Sequence, residues 1–382
     1  MVRRFFFLFF SLFFLLSHFS PVAFAEGEKA GETLPDAYRD FLGNLPPAIL
    51  ERLPEGALSN NTEEVGGAVG EMSSFSFLFK AVLSLIGLRL GDCLGLLCSV
   101  VGILILSSIS RSFCASIGKP EISRAFSLLM TLIITVTIFA TGFGTIESTV
   151  SYFHTLNTFT SASIPLMGSL YVMGGNAAAA VATSAGLSLF MTVLEGIVGK
   201  SIVPFCGICL ALALIGACEG GVRLGGLLTN LKKKYTLMLS FFMMLLLAML
   251  ASQTVLGASQ DTLVMRSAKF AAGNMIPIVG GSVGELLRSV SASVGYMRTS
   301  IGICGVLLLL LLMLPTLVEL LLARTAWQIC SFFAELLGCD GEKRLLEEFA
   351  SINGYLIAAV AICSSVLFLT FTLLTHCATA LA

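Results

Sequence analysis

Residues 306–313 read Val-Leu-Leu-Leu-Leu-Leu-Leu-Met, and residues 241–250 read Phe-Phe-Met-Met-Leu-Leu-Leu-Ala-Met-Leu. Neither run carries a charged or strongly polar side chain, so a helix on the surface of a soluble domain would expose an apolar face all round. Each run lies inside a longer apolar stretch of about 20 residues, which is the length that an α-helix needs to cross the hydrocarbon core. These two stretches predict membrane-spanning helices.

The composition of the whole chain agrees with these two runs. Of the 382 residues 56% are hydrophobic and 12% are charged, and the mean hydropathy is +0.95. A soluble domain carries roughly 25% charged residues, so the composition excludes an ordinary soluble enzyme. The 22 basic and 23 acidic residues nearly cancel, which gives no electrostatic surface for nucleic acid. The predicted fold class is all-α, a polytopic membrane protein.

The first 25 residues have the pattern of a secretory signal peptide. Arg3 and Arg4 precede the apolar stretch Phe5–Leu16, and Ala23-Phe24-Ala25 supplies small residues for cleavage. An uncleaved anchor is the alternative interpretation. In either case we expect residues 26–74, which are rich in proline, to form an exported arm that is extended or loosely helical.

Beyond the arm, the chain predicts about seven membrane-spanning helices. An amphipathic stretch over 75–90 is expected to lie at the membrane interface and, with the first span, to make up a region 75–110. A first membrane half then covers 111–218, and a second covers 219–382. The seven predicted spans are 91–110, 125–145, 177–198, 201–218, 235–257, 301–323 and 354–375. The weakest are 177–198, which is rich in Ala and Gly, and 201–218, which is short.

The two membrane halves share sequence features. Ile164-Pro165 is matched by Ile276-Pro277, and Thr192-Val193-Leu194-Glu195 is matched by Thr316-Leu317-Val318-Glu319. A repeat of three spans would insert the second copy inverted in the membrane, whereas chance likeness between apolar sequences is the plainer explanation. The positive-inside rule leaves sidedness open. Seven spans would place Lys232–Lys234 outside. A re-entrant weak span would return that cluster to the cytoplasm but would place Arg266, Lys269, Arg288 and Arg298 outside.

Both Ile-Pro sequences combine a helix-breaking residue with glycine. Pro165 is followed by Gly168, and Pro277 is followed by Gly280 and Gly281. Irregular backbone at membrane depth is tolerated only where protein shields it or where it lines a wet cavity. We therefore expect either re-entrant or broken helices at a conduit, or simple kinks at the membrane face.

Two carboxylates, Glu195 and Glu319, fall within predicted spans, near one end of each. A carboxylate in hydrocarbon is costly, so such a residue usually faces the interior of the bundle or a water path. Each is also close enough to an interface for its side chain to reach the headgroups. The sequence thus offers them as candidate intramembrane acidic residues, with an interfacial position as the alternative.

The sequence predicts no catalytic, cofactor-binding or metal-binding site. Cys206-x-x-Cys209 has metal or redox spacing, but it lies in an apolar run without a nearby His, so we interpret both residues as buried small hydrophobes. No phosphate-binding loop ending in Gly-Lys-Ser/Thr is present. We therefore expect a protein that is not an enzyme, needs no cofactor, and takes any energy from a partner.

The sequence resembles the stage III sporulation protein AE family. The resemblance rests on the signal and short exported arm, on the hydrophobic layout over 75–375, and most specifically on Ala268-Lys269-Phe270 followed by Asn274-x-Ile276-Pro277-x-Val279-Gly280-Gly281. It covers most of the chain after the signal. A much weaker likeness links the Ile-Pro sequences to the autoinducer-exporter type of permease.

The resemblance implies a polytopic component of a complex in the mother-cell membrane that surrounds the forespore. Its expected partners are an ATPase, ring-forming proteins and a forespore-side protein, which together form a channel or feeding apparatus for late forespore development. The family assigns no catalytic residues. We expect the greatest sensitivity to substitution at Lys269, Asn274, Pro277, Gly280 and Gly281, followed by Pro165, Gly168, Glu195 and Glu319.

Two other functions fit the same residues. A stand-alone secondary transporter for a small solute needs only paired carboxylates and inverted repeats. A membrane scaffold needs only spans and a surface that recruits soluble rings. Neutralising Glu195 and Glu319 should abolish a transporter and leave a scaffold intact.

Overall fold

The computed structural model describes residues 36–43, isolated positions between 45 and 59, and residues 62–116, 120–217, 225–275 and 280–376. Within these ranges every regular element is a helix, as the sequence predicts. The helices are α1 (Asp36–Gly43), α2 (Thr62–Met72), α3 (Phe75–Ser116), α4 (Pro120–Met173), α5 (Ala177–Val193), a π-helical turn (Leu194–Gly199), α6 (Lys200–Ala217), α7 (Gly225–Met275), α8 (Gly280–Leu336) and α9 (Asp340–His376).

Six described helical stretches are long and apolar enough to cross a membrane, where the sequence predicts about seven. The difference lies at 177–198 and 201–218, which join into the single stretch Ala177–Ile215. Its polar interruption, Glu195 to Ser201, is too short to reverse the chain. The π-helical turn instead widens the helix by one residue and keeps the backbone paired. Residues 111–218 therefore hold two spans and residues 219–382 hold three.

Two other predicted boundaries lie within continuous helices. The expected interfacial segment 75–90 and the first span 91–110 together form α3, which is 42 residues long. Residues 146–173, expected as a connection that contains an Ile-Pro break, are the second part of α4, which is 54 residues long. In both cases polar residues within the apolar sequence are accommodated by helix packing and do not end the helix.

Helices α8 and α9 form the centre of the bundle. They pack against each other along the most extensive interface in the fold, and α9 also contacts α4, α6 and α7. In the most apolar window of α8, 83% of the residues are buried, against 17% in α3. The exposed apolar side chains of α3 and α7, such as Leu88 and Met244, are those that lipid would cover.

Two tight turns between spans are described by the structure, and in each a glycine ends the preceding helix. After α4, Asn176 N–H donates to Tyr171 O at 2.8 Å, and Gly175 has a φ of 75°. After α8, Cys339 N–H donates to Ala334 O at 2.8 Å, and Gly338 has a φ of 68°. This is the Schellman arrangement, and its left-handed position favours glycine. Each turn makes its two neighbouring helices antiparallel.

The arm that is predicted to be exported contains helices that pack on the bundle, where the sequence predicts an extended or loosely helical segment. Tyr38 and Phe41 of α1 are buried, and the ring of Phe41 lies 5.3 Å from that of Phe159 in α4. The hydroxyl of Tyr38 lies 3.9 Å from Cys304 Sγ of α8, and burial raises the pKa of Tyr38. The predicted signal, residues 1–25, lies outside the described residues.

Candidate functional site

Glu319 lies at the meeting point of three helices. From α8, its Oε1 accepts a hydrogen bond from Ser148 Oγ of α4 at 2.8 Å. Its Oε2 lies 3.2 Å from Arg89 Nη2 of α3. The Glu319 side chain is 19% exposed and that of Arg89 is 41% exposed. One ion pair and one hydroxyl therefore partner the carboxylate within the span, which is how a carboxylate can be held among apolar helices.

A cavity of about 260 Å³ opens beside this pair. Arg89, Asp92 and Cys93 line it from α3, Thr145 lines it from α4, and Glu319 lines it from α8. Arg89 also reaches Asp92, one helical turn away, at 3.7 Å. The lining of the cavity thus combines two carboxylates and a guanidinium with small and apolar residues.

The polar character continues from this cavity into the bundle core. Thr145 Oγ1 donates to Asn353 Oδ1 of α9 at 3.2 Å. Asn353 is buried, and its Nδ2 has no hydrogen-bond partner among the described residues. An orphaned buried amide is uncommon in a packed core and marks a place where a water or ion could be bound.

Glu195, the other predicted intramembrane carboxylate, lies elsewhere. It is exposed on the π-helical turn between α5 and α6. The hydrogen bond and ion pair of Glu319 go to Ser148 and Arg89 and not to Glu195. Glu195 is not among the residues that line the cavity beside Glu319, and the π-helical turn packs on α4, α5 and α6.

The first Ile-Pro sequence does not break its helix. Pro165 is exposed within α4, and Gly168 is half-buried there with Ser184 Oγ 3.8 Å from the position of a Cβ. A proline is tolerated in a spanning helix because its neighbours satisfy the freed carbonyl. The expectation of a re-entrant or broken helix at Pro165 is therefore wrong.

The second Ile-Pro sequence falls between two helices. Lys269 and Asn274 lie in the last part of α7, Gly280 and Gly281 begin α8, and Pro277 lies outside the described residues. The side chains of Lys269 and Asn274 lie outside the described part too. Sensitivity to substitution at all five positions stays a prediction.

Arg298 is the most deeply buried cation of the described bundle, and it is not among the site residues predicted from the sequence. At 1% exposure, its Nε donates to Leu170 O at 3.0 Å, and its Nη2 donates to Tyr171 O at 3.1 Å and to Asn176 Oδ1 at 2.9 Å. It thereby binds the terminal carbonyls of α4, where the helix dipole favours a cation. The sequence signal that could have identified Arg298 is its position just before the predicted span 301–323.

Two further ion pairs lie at the opposite end of the bundle, around the α8–α9 turn. Arg111 of α3 binds Glu342, which is fully buried, and Lys232 of α7 binds Glu348. Both acids lie in the first three turns of α9. These pairs join three helices at the end of the bundle where α9 begins.

A model of the stage III sporulation protein AE family matches residues 65–378. The chain belongs to this family. It is also 24% identical over 352 residues to the stage III sporulation protein AE of Bacillus subtilis (strain 168), which covers 91% of this chain and 85% of that protein. No solved structure matches.

Membership of the stage III sporulation protein AE family assigns the chain a role in sporulation, and the six apolar helices assign it to a membrane. The matched residues begin in α2 and end just past α9, so they contain the Arg89–Glu319 cluster, the Arg298 contacts and both turn glycines. The resemblance seen in the sequence is thus confirmed.

Proposed function

We propose that the protein is a non-enzymatic, multi-pass subunit of a channel or feeding apparatus in the mother-cell membrane around the forespore. Its partners would be an ATPase, ring-forming proteins and a forespore-side protein. The observation that best supports a role in passage through the membrane is the half-buried Arg89–Glu319 pair with its cavity of about 260 Å³. Charged groups are retained within spans mainly where they serve an ion or substrate path.

The cavity is also the observation that favours the alternative, a stand-alone secondary transporter. Such a protein would use Glu319 and Arg89, and not the predicted pair of carboxylates, to couple an ion to a solute. The two functions differ in their need for partners. A channel subunit co-purifies from sporulating cells with an ATPase and ring-forming proteins after mild detergent extraction, whereas a stand-alone transporter is isolated without them.

The deciding experiment is deletion of the gene in the source organism, followed by complementation. We expect the deletion strain to grow normally, to form small forespores after engulfment, and to yield few heat-resistant spores. The wild-type gene should restore all three measures. Normal sporulation of the deletion strain would contradict the proposal and favour the stand-alone transporter.

A pair of matched variants then tests the cavity. E319Q removes the charge that faces Arg89, and E195Q removes an exposed charge on the π-helical turn. We expect E319Q to lose most heat-resistant spores at normal protein level on an immunoblot, and E195Q to sporulate normally. Full sporulation of E319Q would contradict passage at this cavity and favour the scaffold function.

A further inference from the structure

A second, larger cavity of about 470 Å³ opens between α7, α8 and α9, near the α8–α9 turn. Its walls carry three cations, Lys232, Lys233 and Arg324, and one carboxylate, Glu347. Hydroxyl and amide side chains complete the polar part of the lining. The volume lies in the range typical of small-molecule sites.

Two of the four charged residues that line this cavity have partners. Lys232 binds Glu348, and its Nζ donates to Ser351 Oγ at 2.8 Å. The carboxylate of Glu347 lies 3.9 Å from Lys343 Nζ. Glu348 and Glu347 thus pair with lysines, and neither forms an ion pair with Arg324.

Of the lining cations, Lys233 and Arg324 form no ion pair among the described residues, and Arg324 is the less exposed of the two. It is half-buried within the apolar span of α8, and no carboxylate of the described residues comes within ion-pair distance of its guanidinium. Arg89 and Arg111 reach such a carboxylate, and Arg298 reaches three oxygen acceptors. An arginine within a spanning segment is costly unless an anion or acceptor compensates it.

The wall of the cavity is shaped around this guanidinium. Gly354 of α9 faces it, and a Cβ on Gly354 would lie 2.3 Å from Arg324 Nη1 and 2.9 Å from its Cζ. Glycine therefore lets the guanidinium lie directly against the backbone of α9. One side of the guanidinium therefore lies against α9, and Arg324 also lines the cavity, where its N–H groups can act as donors.

We propose that this cavity binds a phosphate group, with Arg324 as the bidentate donor and Lys233 as a second cation. A guanidinium presents parallel N–H groups that match two oxygens of a phosphate. Basic cavities between spanning helices are also where anionic headgroups bind. The phosphate comes either from an anionic phospholipid or from a soluble phosphate ester, and this assignment does not depend on the sporulation apparatus.

The test uses the full-length protein in nanodiscs. One set contains phosphatidylcholine alone, a second contains added phosphatidylglycerol, and the first is also measured with inorganic phosphate and with glycerol 3-phosphate. A ligand that binds only the folded state raises the midpoint of thermal unfolding. We expect the wild-type midpoint to rise with phosphatidylglycerol if the source is lipid, and with the soluble phosphates if it is not.

Three variants localise the response. R324Q should weaken phosphate binding by about tenfold or more, because a charge-assisted donor pair is lost. G354A keeps every charge but displaces the guanidinium, and it should fold because Arg324 loses no described bond when it moves. R344Q removes an exposed arginine at the same end of the bundle and outside the cavity lining, and it should keep the full response.

The proposal is overturned if the wild-type midpoint responds to none of these probes, or if R324Q and G354A respond as the wild type does. It is also overturned if R344Q loses as much response as R324Q, since that would mean a general attraction to the basic end. If R324Q does not fold, the wild-type and G354A measurements decide the matter.

Discussion

At the residue scale, the described buried cations lie against oxygen acceptors or against a glycine whose missing side chain leaves room for them. Arg298 binds the end of α4, and Gly174 lies directly beneath it. A Cβ on Gly174 would lie 2.2 Å from Arg298 Nη2. Because the guanidinium is held by three hydrogen bonds, it cannot move aside without losing them.

We therefore expect G174A to destabilise the fold by about 2 kcal/mol, the contribution of charge-assisted hydrogen bonds that the displaced Arg298 would lose. The measurement is the midpoint of thermal unfolding in detergent. G295A is the matched control, because a Cβ on Gly295 meets nothing within 4 Å. An alanine there should be neutral or slightly stabilising. Equal midpoints for the two variants would contradict the role of Arg298.

A second prediction concerns the Arg89–Glu319 pair. A double-mutant cycle with R89Q and E319Q should give a coupling energy of about 1 kcal/mol, since the pair is only partly shielded from solvent. D92N serves as the control, because the Asp92 side chain is 77% exposed and 3.7 Å from Arg89. It should change stability little. Additive effects of R89Q and E319Q would show that the ion pair contributes nothing.

At the element scale, the α8–α9 hairpin depends on small residues that let two helices approach closely. Gly302 and Gly305 of α8 face α9, and a Cβ on Gly305 would lie 2.1 Å from Cε1 of Phe371. Phe371 is fully buried, so its ring has no free volume into which it could move. Close packing of this kind is the main source of helix association in a membrane.

The third prediction follows from this contact. G305A should destabilise the bundle by about 1–3 kcal/mol through overpacking, measured as a lower midpoint of thermal unfolding in detergent. G102A in α3, where a Cβ would meet nothing within 4 Å, should leave the midpoint unchanged or slightly higher. A G305A midpoint equal to that of G102A would refute the close α8–α9 contact.

At the scale of the whole molecule, the two ends of the bundle differ in the number of basic residues that the structure describes. The end with the α8–α9 turn carries Arg111, Lys232, Lys343 and Arg344, whereas the other end carries the arm and the internally bonded Arg298. Six spans place Lys232–Lys234 at the same end as Arg111. The positive-inside rule, which was ambiguous for seven spans, then predicts that this end is cytoplasmic.

Reporter fusions check this sidedness. Alkaline phosphatase inserted after residue 175, in the α4–α5 turn, should be active because that turn is predicted to be outside. The same enzyme inserted after residue 338, in the α8–α9 turn, should be inactive, and a cytoplasmic fluorescent protein should show the reverse. The reversed result, activity at 338 with inactivity at 175, would reject this orientation, and the same result at both sites would reject the six-span topology.

The sequence by itself determined the fold class and the membrane location, because an apolar composition and long apolar runs such as 301–323 are stable only within a bilayer. Its hydrophobic layout and the segment around Ile276-Pro277 also identified the family. It also supplied Glu319 as an intramembrane acid. Only the tertiary structure decided that Ala177–Ile215 is one span, that Pro165 sits in an unbroken helix, and that Glu319 pairs with Arg89 and not with Glu195. The physical reason is that hydropathy is a local property, whereas the partner of a charge depends on which helices pack together.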